Sequence, residues 1–219
     1  MEAGVLSEAG VDRNTTIGTP QGGVISPLLA NIYLNQLDKF WARIKDKFRS
    51  TDLIRYADDI VILCKEKINT YFGLLEKELL KMSLKMNPDK TTILDLERQS
   101  LDFLGFNVRR TNSWKTGRRY TRIAPSKKAV QSLKDKVKMM TRRGNKQQAE
   151  KVIIKVNTLI RGWKNYFSIG YQSKSLAKVN CFLECRLRKF LRKRRNKTKY
   201  GWKEYNKAYL HKQLGLYQL

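Results

Sequence analysis

The chain has 219 residues, with 46 Lys plus Arg against 19 Asp plus Glu, a formal net charge of +27, and 41% apolar residues. That length suits one large or two small domains with a sizeable core. No apolar run approaches the ~20 residues of a membrane span, and the first residues lack a signal-peptide pattern, so neither a membrane span nor secretion is indicated. The three cysteines, Cys64, Cys181 and Cys185, are an odd count that implies free thiols in a reducing compartment, the cytoplasm or an organelle matrix. Cys181 and Cys185 share a helix face and read as buried. With His211 the lone histidine and remote, a four-ligand zinc site is not supported.

The charge is uneven. Residues 1–105 hold 14 basic and 15 acidic residues, whereas residues 106–219 hold 32 basic and 4 acidic. A C-terminal half of that density implies a polyanionic partner, nucleic acid before an anionic membrane surface.

In chain order, residues 1–17 show no clear periodicity. "GTPQGGVISP" is a loop, and Ser26-Pro27 reads as a helix start, with Ser as cap and Pro at the first helical position. Ala30, Tyr33, Leu34, Leu37 and Trp41 mark one face of a helix to about Lys45. Residues 53–64 read as a hairpin. Ile68, Tyr71, Phe72, Leu75, Leu79, Met82 and Met86 form the stripe of a second helix. "NPDK" (87–90) turns; "TTILDL", "LDFLGFNV" and "RRYTRIA" read as strands. After Pro125 the pattern is helical: one helix capped by Ser126 to about Arg143, one capped by Asn145 through Phe167, one over 175–194, and a short one over 202–212. The fold class is therefore α+β, divided into a mixed part, 1–124, and a basic all-helical part, 125–219.

"LIRYADDIVIL" (53–63) sets Asp58 and Asp59 side by side between apolar runs. Aspartates suit an ordinary wet hairpin tip. Two adjacent carboxylates also repel unless something cationic neutralises them, and Mg²⁺ does so through one or two carboxylates plus substrate phosphates.

Taken together, these segments resemble group II intron reverse transcriptases, also called maturases. The likeness rests on "GTPQGGVISPLLANIYLNQLD" (18–38), "YADD" (56–59), "NPDKT" (87–91), "LDFLGF" (101–106), "PSKKAVQSLKDKVK", "NTLIRGWKNYF" and "LHKQLGLYQL", in that order. YADD alone is weak; the ordered set is specific and spans the chain from about residue 18 to its end. The resemblance implies a partial reverse-transcriptase palm, an antiparallel sheet with helices, over 1–124. A basic thumb, the maturase-specific domain X, follows over 125–219. It implies RNA-directed DNA synthesis by two-metal nucleotidyl transfer, and intron RNA binding for splicing.

Under that resemblance Asp58 and Asp59 are catalytic and metal-binding, with two Mg²⁺ ions expected in the complete enzyme. Pro20, Gln21, Gly22, Gly23, Tyr56, Ala57, Lys90, Leu104 and Gly105 lie along template, primer and nucleotide. Tyr56 equally suits a cross-strand core aromatic, and Leu104-Gly105-Phe106 ordinary sheet core. Arg161, Lys164, Tyr166, Arg192, Lys193, Arg194, Arg195 and Trp202 are RNA-binding candidates, with Lys and Arg on phosphates and aromatics stacking on bases. Trp163 and Phe167, four apart, suit helical core. The implied partners are group II intron RNA and a DNA primer on an RNA template.

The family pattern has a further aspartate on an earlier strand. Glu2, Glu8 and Asp12 are the only acids before residue 18, and none sits in the apolar context expected of it. The chain thus reads as the C-terminal piece of a longer enzyme, inactive alone and completed by a separate chain carrying the fingers. A non-catalytic RNA-binding splicing cofactor, or the remnant of a truncated gene, fits the same residues.

Overall fold

The computed structural model describes residues 5–7, 10–12, 24–170, 173–195 and 201–219. The chain forms two compact units, residues 1–93 and 94–219.

In the first unit, β1 (Val5–Ser7) and β2 (Gly10–Asp12) pair antiparallel; strands of three residues are too short to show a period. Then come α1 (Ser26–Phe48), β3 (Thr51–Tyr56), β4 (Asp59–Cys64) and α2 (Ile68–Lys81). Ile25, not Ser26, occupies the cap position of α1; Ser26 enters the helix ahead of Pro27. The helix outruns its expected end and stops at Arg49, whose left-handed backbone (φ 49°) lets its N–H donate to the Lys45 carbonyl. The apolar stripes of the two helices meet as read: Leu37, Trp41 and Ile44 pack with Tyr71, Leu75, Leu79 and Met82. Alternation sends Leu53, Ile60, Ile62 and Cys64 of the hairpin onto this core.

In the second unit, β5 (Leu101–Phe103), β6 (Phe106–Asn112) and β7 (Arg119–Pro125) form an antiparallel sheet in that order. They lead into α3 (Lys127–Met140), α4 (Ala149–Tyr166) and α5 (Ser173–Arg194). Ser126 caps α3 as expected, its Oγ accepting from the Ala129 N–H at 3.1 Å. The core joins Leu133 and Val137 to Val152, Ile153, Val156 and Ile160, and to Val179, Leu183, Leu187 and Phe190.

Four expectations are corrected. "TTILDL" is not a strand: the Asp95 carboxylate accepts from the Glu97 N–H at 2.9 Å and the chain turns there. Asn145 does not cap α4; its side chain closes the preceding turn by donating to the Met140 carbonyl (2.6 Å) and accepting from the Gln147 N–H (2.9 Å), and α4 starts at Ala149. The short helix expected over 202–212 is confined to 207–213, two α-helical residues running into the five-residue π-helical turn Tyr209–Gln213. There the buried residues are Tyr205, Leu210 and Leu216, five and six apart, so the segment wraps the core instead of presenting a stripe. Cys181 and Cys185 are exposed, because α5 buries Val179, Leu183 and Leu187 on its other face.

The compact units part at 93/94, earlier than the 124/125 boundary read from sequence. The sheet packs with the helices that follow it: Phe106 contacts Phe167 edge-on at 4.8 Å, and the Ser126 N–H donates to the Gly105 carbonyl at 2.8 Å. Among the described residues no helix is long and apolar enough to cross a membrane.

Candidate functional site

The β3–β4 hairpin closes through a two-residue turn, Ala57-Asp58, with Tyr56 opposite Asp59. Ala57 takes a left-handed backbone, φ 52°, which costs a residue with a Cβ about 1–2 kcal/mol. Arg55 offsets that cost. Its Nη1 donates to the Ala57 carbonyl at 3.1 Å and to Asn31 Oδ1 at 2.8 Å. Its Nε donates to Asp38 Oδ1 at 2.9 Å, and its Nη2 pairs with Asp38 Oδ2. The guanidinium is 11% exposed, and the hydrogen bond to Asp38 holds its pKa above the usual arginine value. One side chain thus ties the hairpin tip to α1. The sequence reading passed over Arg55, Asp38 and Asn31. The signal was present in "RYADD" and in the "LD" ending the preceding motif, a cation and an anion beside the two stretches singled out.

Asp58 and Asp59 are both exposed at this tip. Tyr56 is exposed too, at 64%, so it is not a core aromatic. Since paired residues share a face, Tyr56 and Asp59 project on the side away from the core, beside Ile54 and Leu63, also exposed. As a donor set, two adjacent carboxylates fit a hard divalent ion that completes its shell with water and phosphate oxygens. Among the described residues no group of three or more His, Cys, Asp or Glu converges on a metal position. Lys90 lies exposed in the turn after α2, its N–H donating to the Asn87 carbonyl. Pro20, Gln21, Gly22 and Gly23 lie outside the described residues.

In the second unit the candidates fall into separate clusters. Leu104 and Gly105 form the β5–β6 turn, with φ of 49° and 78°, and Tyr166 joins them: its hydroxyl donates to the Leu104 carbonyl at 3.0 Å and its ring stacks on Phe106. A Cβ on Gly105 would come within 3.4 Å of the Phe167 ring. Trp163 and Phe167 pack together as expected, at 4.8 Å. Arg161 and Lys164 both sit over the Tyr217 ring, at 5.1 and 5.0 Å. Arg194 donates to the Gln147 carbonyl and so holds the α3–α4 connection. Lys193 and Arg195 are exposed, Arg192 half-buried. Trp202 carries the Arg188 guanidinium on its face at 4.2 Å. Two cations with structural work were missed: Arg186 caps the end of α3 through Thr141 and the Lys138 carbonyl, and buried Arg188 pairs with Glu184 and donates to the Tyr205 carbonyl at 2.7 Å.

Arg55→Ala is expected to destabilise the first unit by about 1.5–3 kcal/mol, the range for hydrogen bonds to charged groups. Arg55→Lys is expected to recover only part, since a point charge cannot reproduce the two-pronged contact with Asp38. Urea unfolding followed by tryptophan fluorescence reads this through Trp41 in that core; equal midpoints for parent and Arg55→Ala would refute it.

Residues 5–108 match the reverse transcriptase (RNA-dependent DNA polymerase) family, and residues 130–209 match the group II intron maturase-specific domain. An uncharacterised 91 kDa protein in a cob intron of Schizosaccharomyces pombe is 23% identical over a 262-residue alignment, covering 86% of this chain and 32% of that protein. The group II intron-encoded protein LtrA of Lactococcus lactis subsp. cremoris is 68% identical over 34 residues, 16% of this chain and 6% of LtrA. Protein YkfC of Escherichia coli K12 is 32% identical over 157 residues, 56% of this chain and 40% of YkfC. The chain thus spans well under half the length of these relatives. A reverse transcriptase domain followed by a maturase-specific domain defines a class of intron-encoded chains. This chain carries both domains in that order, those of an intron-encoded reverse transcriptase and maturase.

Proposed function

We propose that the chain supplies the nucleotidyl-transfer hairpin and the RNA-binding thumb of an RNA-directed DNA polymerase that also serves as a maturase for its intron. The observation that carries this reading is the Asp58-Asp59 tip, fixed to α1 by Arg55, in a chain whose second unit holds 33 basic and 7 acidic residues. Asp58 and Asp59 are the residues that would hold Mg²⁺. Bound there, divalent ions stabilise the attacking and leaving oxygens of nucleotidyl transfer. Arg55 sets the position of the carboxylates, and exposed Tyr56 offers a flat face beside them for the primer end. The β5–β6 turn, braced by Tyr166, approaches the primer backbone through Leu104 and Gly105, and Lys90 the incoming triphosphate.

The outward face bearing Ile54, Tyr56 and Leu63 supports packing against a further palm segment that brings another carboxylate, from a separate chain if not from this one. The second reading, a splicing cofactor without polymerase activity, is favoured by the two-carboxylate donor set among the described residues.

Both readings require selective RNA binding. In competition binding at roughly physiological salt, where non-specific contacts are already weakened, the chain is expected to prefer its own intron over unrelated RNA of equal length, by shape and stacking. Equal competition by the two RNAs would leave only a generic basic protein.

A further inference from the structure

The sheet of the second unit carries a charge arrangement that its own stability does not explain. In the register of β6 and β7, Arg109 stands directly opposite Arg122. Residues opposite one another in an antiparallel pair share a face, and like charges so placed destabilise the sheet. Arg109 is exposed and Arg122 half-buried. Neither makes a side-chain hydrogen bond or ion pair with any described residue. The alternate positions behave differently. Arg110 and Arg119 lie on the opposite face of the same sheet, and both pair with Glu97, at 3.9 and 2.8 Å. So the two arginines of one face share a carboxylate, and the other face is left with two facing cations. Along that face, Asn107 precedes Arg109 and is already bound to Asp102 at 2.6 Å. Thr111 and Tyr120, the next pair, add no charge.

We infer that this face of β6 and β7 is a docking surface for the phosphodiester backbone of RNA, with Arg109 and Arg122 each taking a phosphate. Two guanidiniums side by side present forked donors that match phosphate oxygens, and the ligand removes the repulsion that the free protein carries. The choice of occupant rests on charge complementarity and on the RNA-binding reading above, which this inference deepens. The surface lies before the maturase-specific match at 130–209, so it lengthens the RNA track beyond the helices.

The test compares the full chain with R109Q/R122Q and with R110Q/R119Q, using a structured RNA at a series of salt concentrations. Two phosphate contacts account for about 1.4–1.8 units of the slope of log affinity against log salt. R109Q/R122Q is expected to lose that much slope, while its urea midpoint without RNA stays level or rises because the repulsion is gone. R110Q/R119Q removes charges already shared with Glu97 and is expected to change the slope by less. An unchanged slope for R109Q/R122Q while the parent binds RNA, equal losses in the two double variants, or a lowered urea midpoint for R109Q/R122Q would each overturn the inference and leave the RNA-binding reading standing. Failure of the parent itself to bind RNA would overturn both.

Discussion

RNA affinity of the full chain is expected to fall roughly 10³- to 10⁵-fold between 50 and 200 mM salt on duplex-like RNA, if six to ten phosphates are contacted, and somewhat less on single strands. The second unit supplies the cations, 33 basic against 7 acidic residues, but not all of them reach a ligand. Arg186, Arg188 and Arg194 are spent on backbone carbonyls within the unit, and Arg110 and Arg119 on Glu97. Those left to meet phosphate include exposed Lys193 and Arg195 and the Arg161–Lys164 pair over Tyr217. Fluorescence anisotropy of a labelled RNA across a salt series measures the effect. A log–log slope shallower than about −3 would correspond to no more than about four phosphates, too few for an extended thumb surface.

The second large effect concerns catalysis. The purified 219-residue chain is expected to extend a primer at a rate roughly three to four decades below that of the chain supplied with a further palm strand and its carboxylate. Asp58 and Asp59 sit on one hairpin, and among the described residues no third acidic, cysteine or histidine side chain joins them. Each missing metal–oxygen interaction removes several kcal/mol of transition-state stabilisation, and about 5 kcal/mol is between three and four decades in rate. Single-turnover primer extension in Mg²⁺, with Asp58→Ala as the blank, makes the comparison. Robust extension by the chain alone, abolished in Asp58→Ala, would sink the expectation and would also exclude the splicing-cofactor reading.

Much of the site was legible because its signals are local. Two adjacent aspartates between apolar runs specify a hairpin with carboxylates at its tip, and the register puts the turn at Ala57-Asp58. Alternation and helical stripes also located the first-unit core, since Leu37, Trp41, Tyr71 and Leu75 all lie on faces that period alone marks out. Two of the misses came where a side chain competed with the backbone for hydrogen bonds. Asp95 turned an expected strand, and Asn145 closed a turn instead of capping a helix. Such contests are decided by geometry at single atoms, which composition does not encode.

The sequence by itself determined the class of the protein, the charge of its two halves and the place of its paired aspartates at a hairpin tip. These follow from residue types in order, and order survives without a fold. Only the tertiary structure decided which charges have work inside the molecule. Arg55 and Arg109 are the same residue type, each in a strand of alternating pattern. Arg55 meets Asp38 and the Ala57 carbonyl because α1 packs on the inner face of its hairpin. Arg109 meets Arg122 because the register of β6 and β7 sets them opposite one another. Helix packing and strand register act between residues distant in the chain, and it is there that a cation becomes either a brace or an open hand.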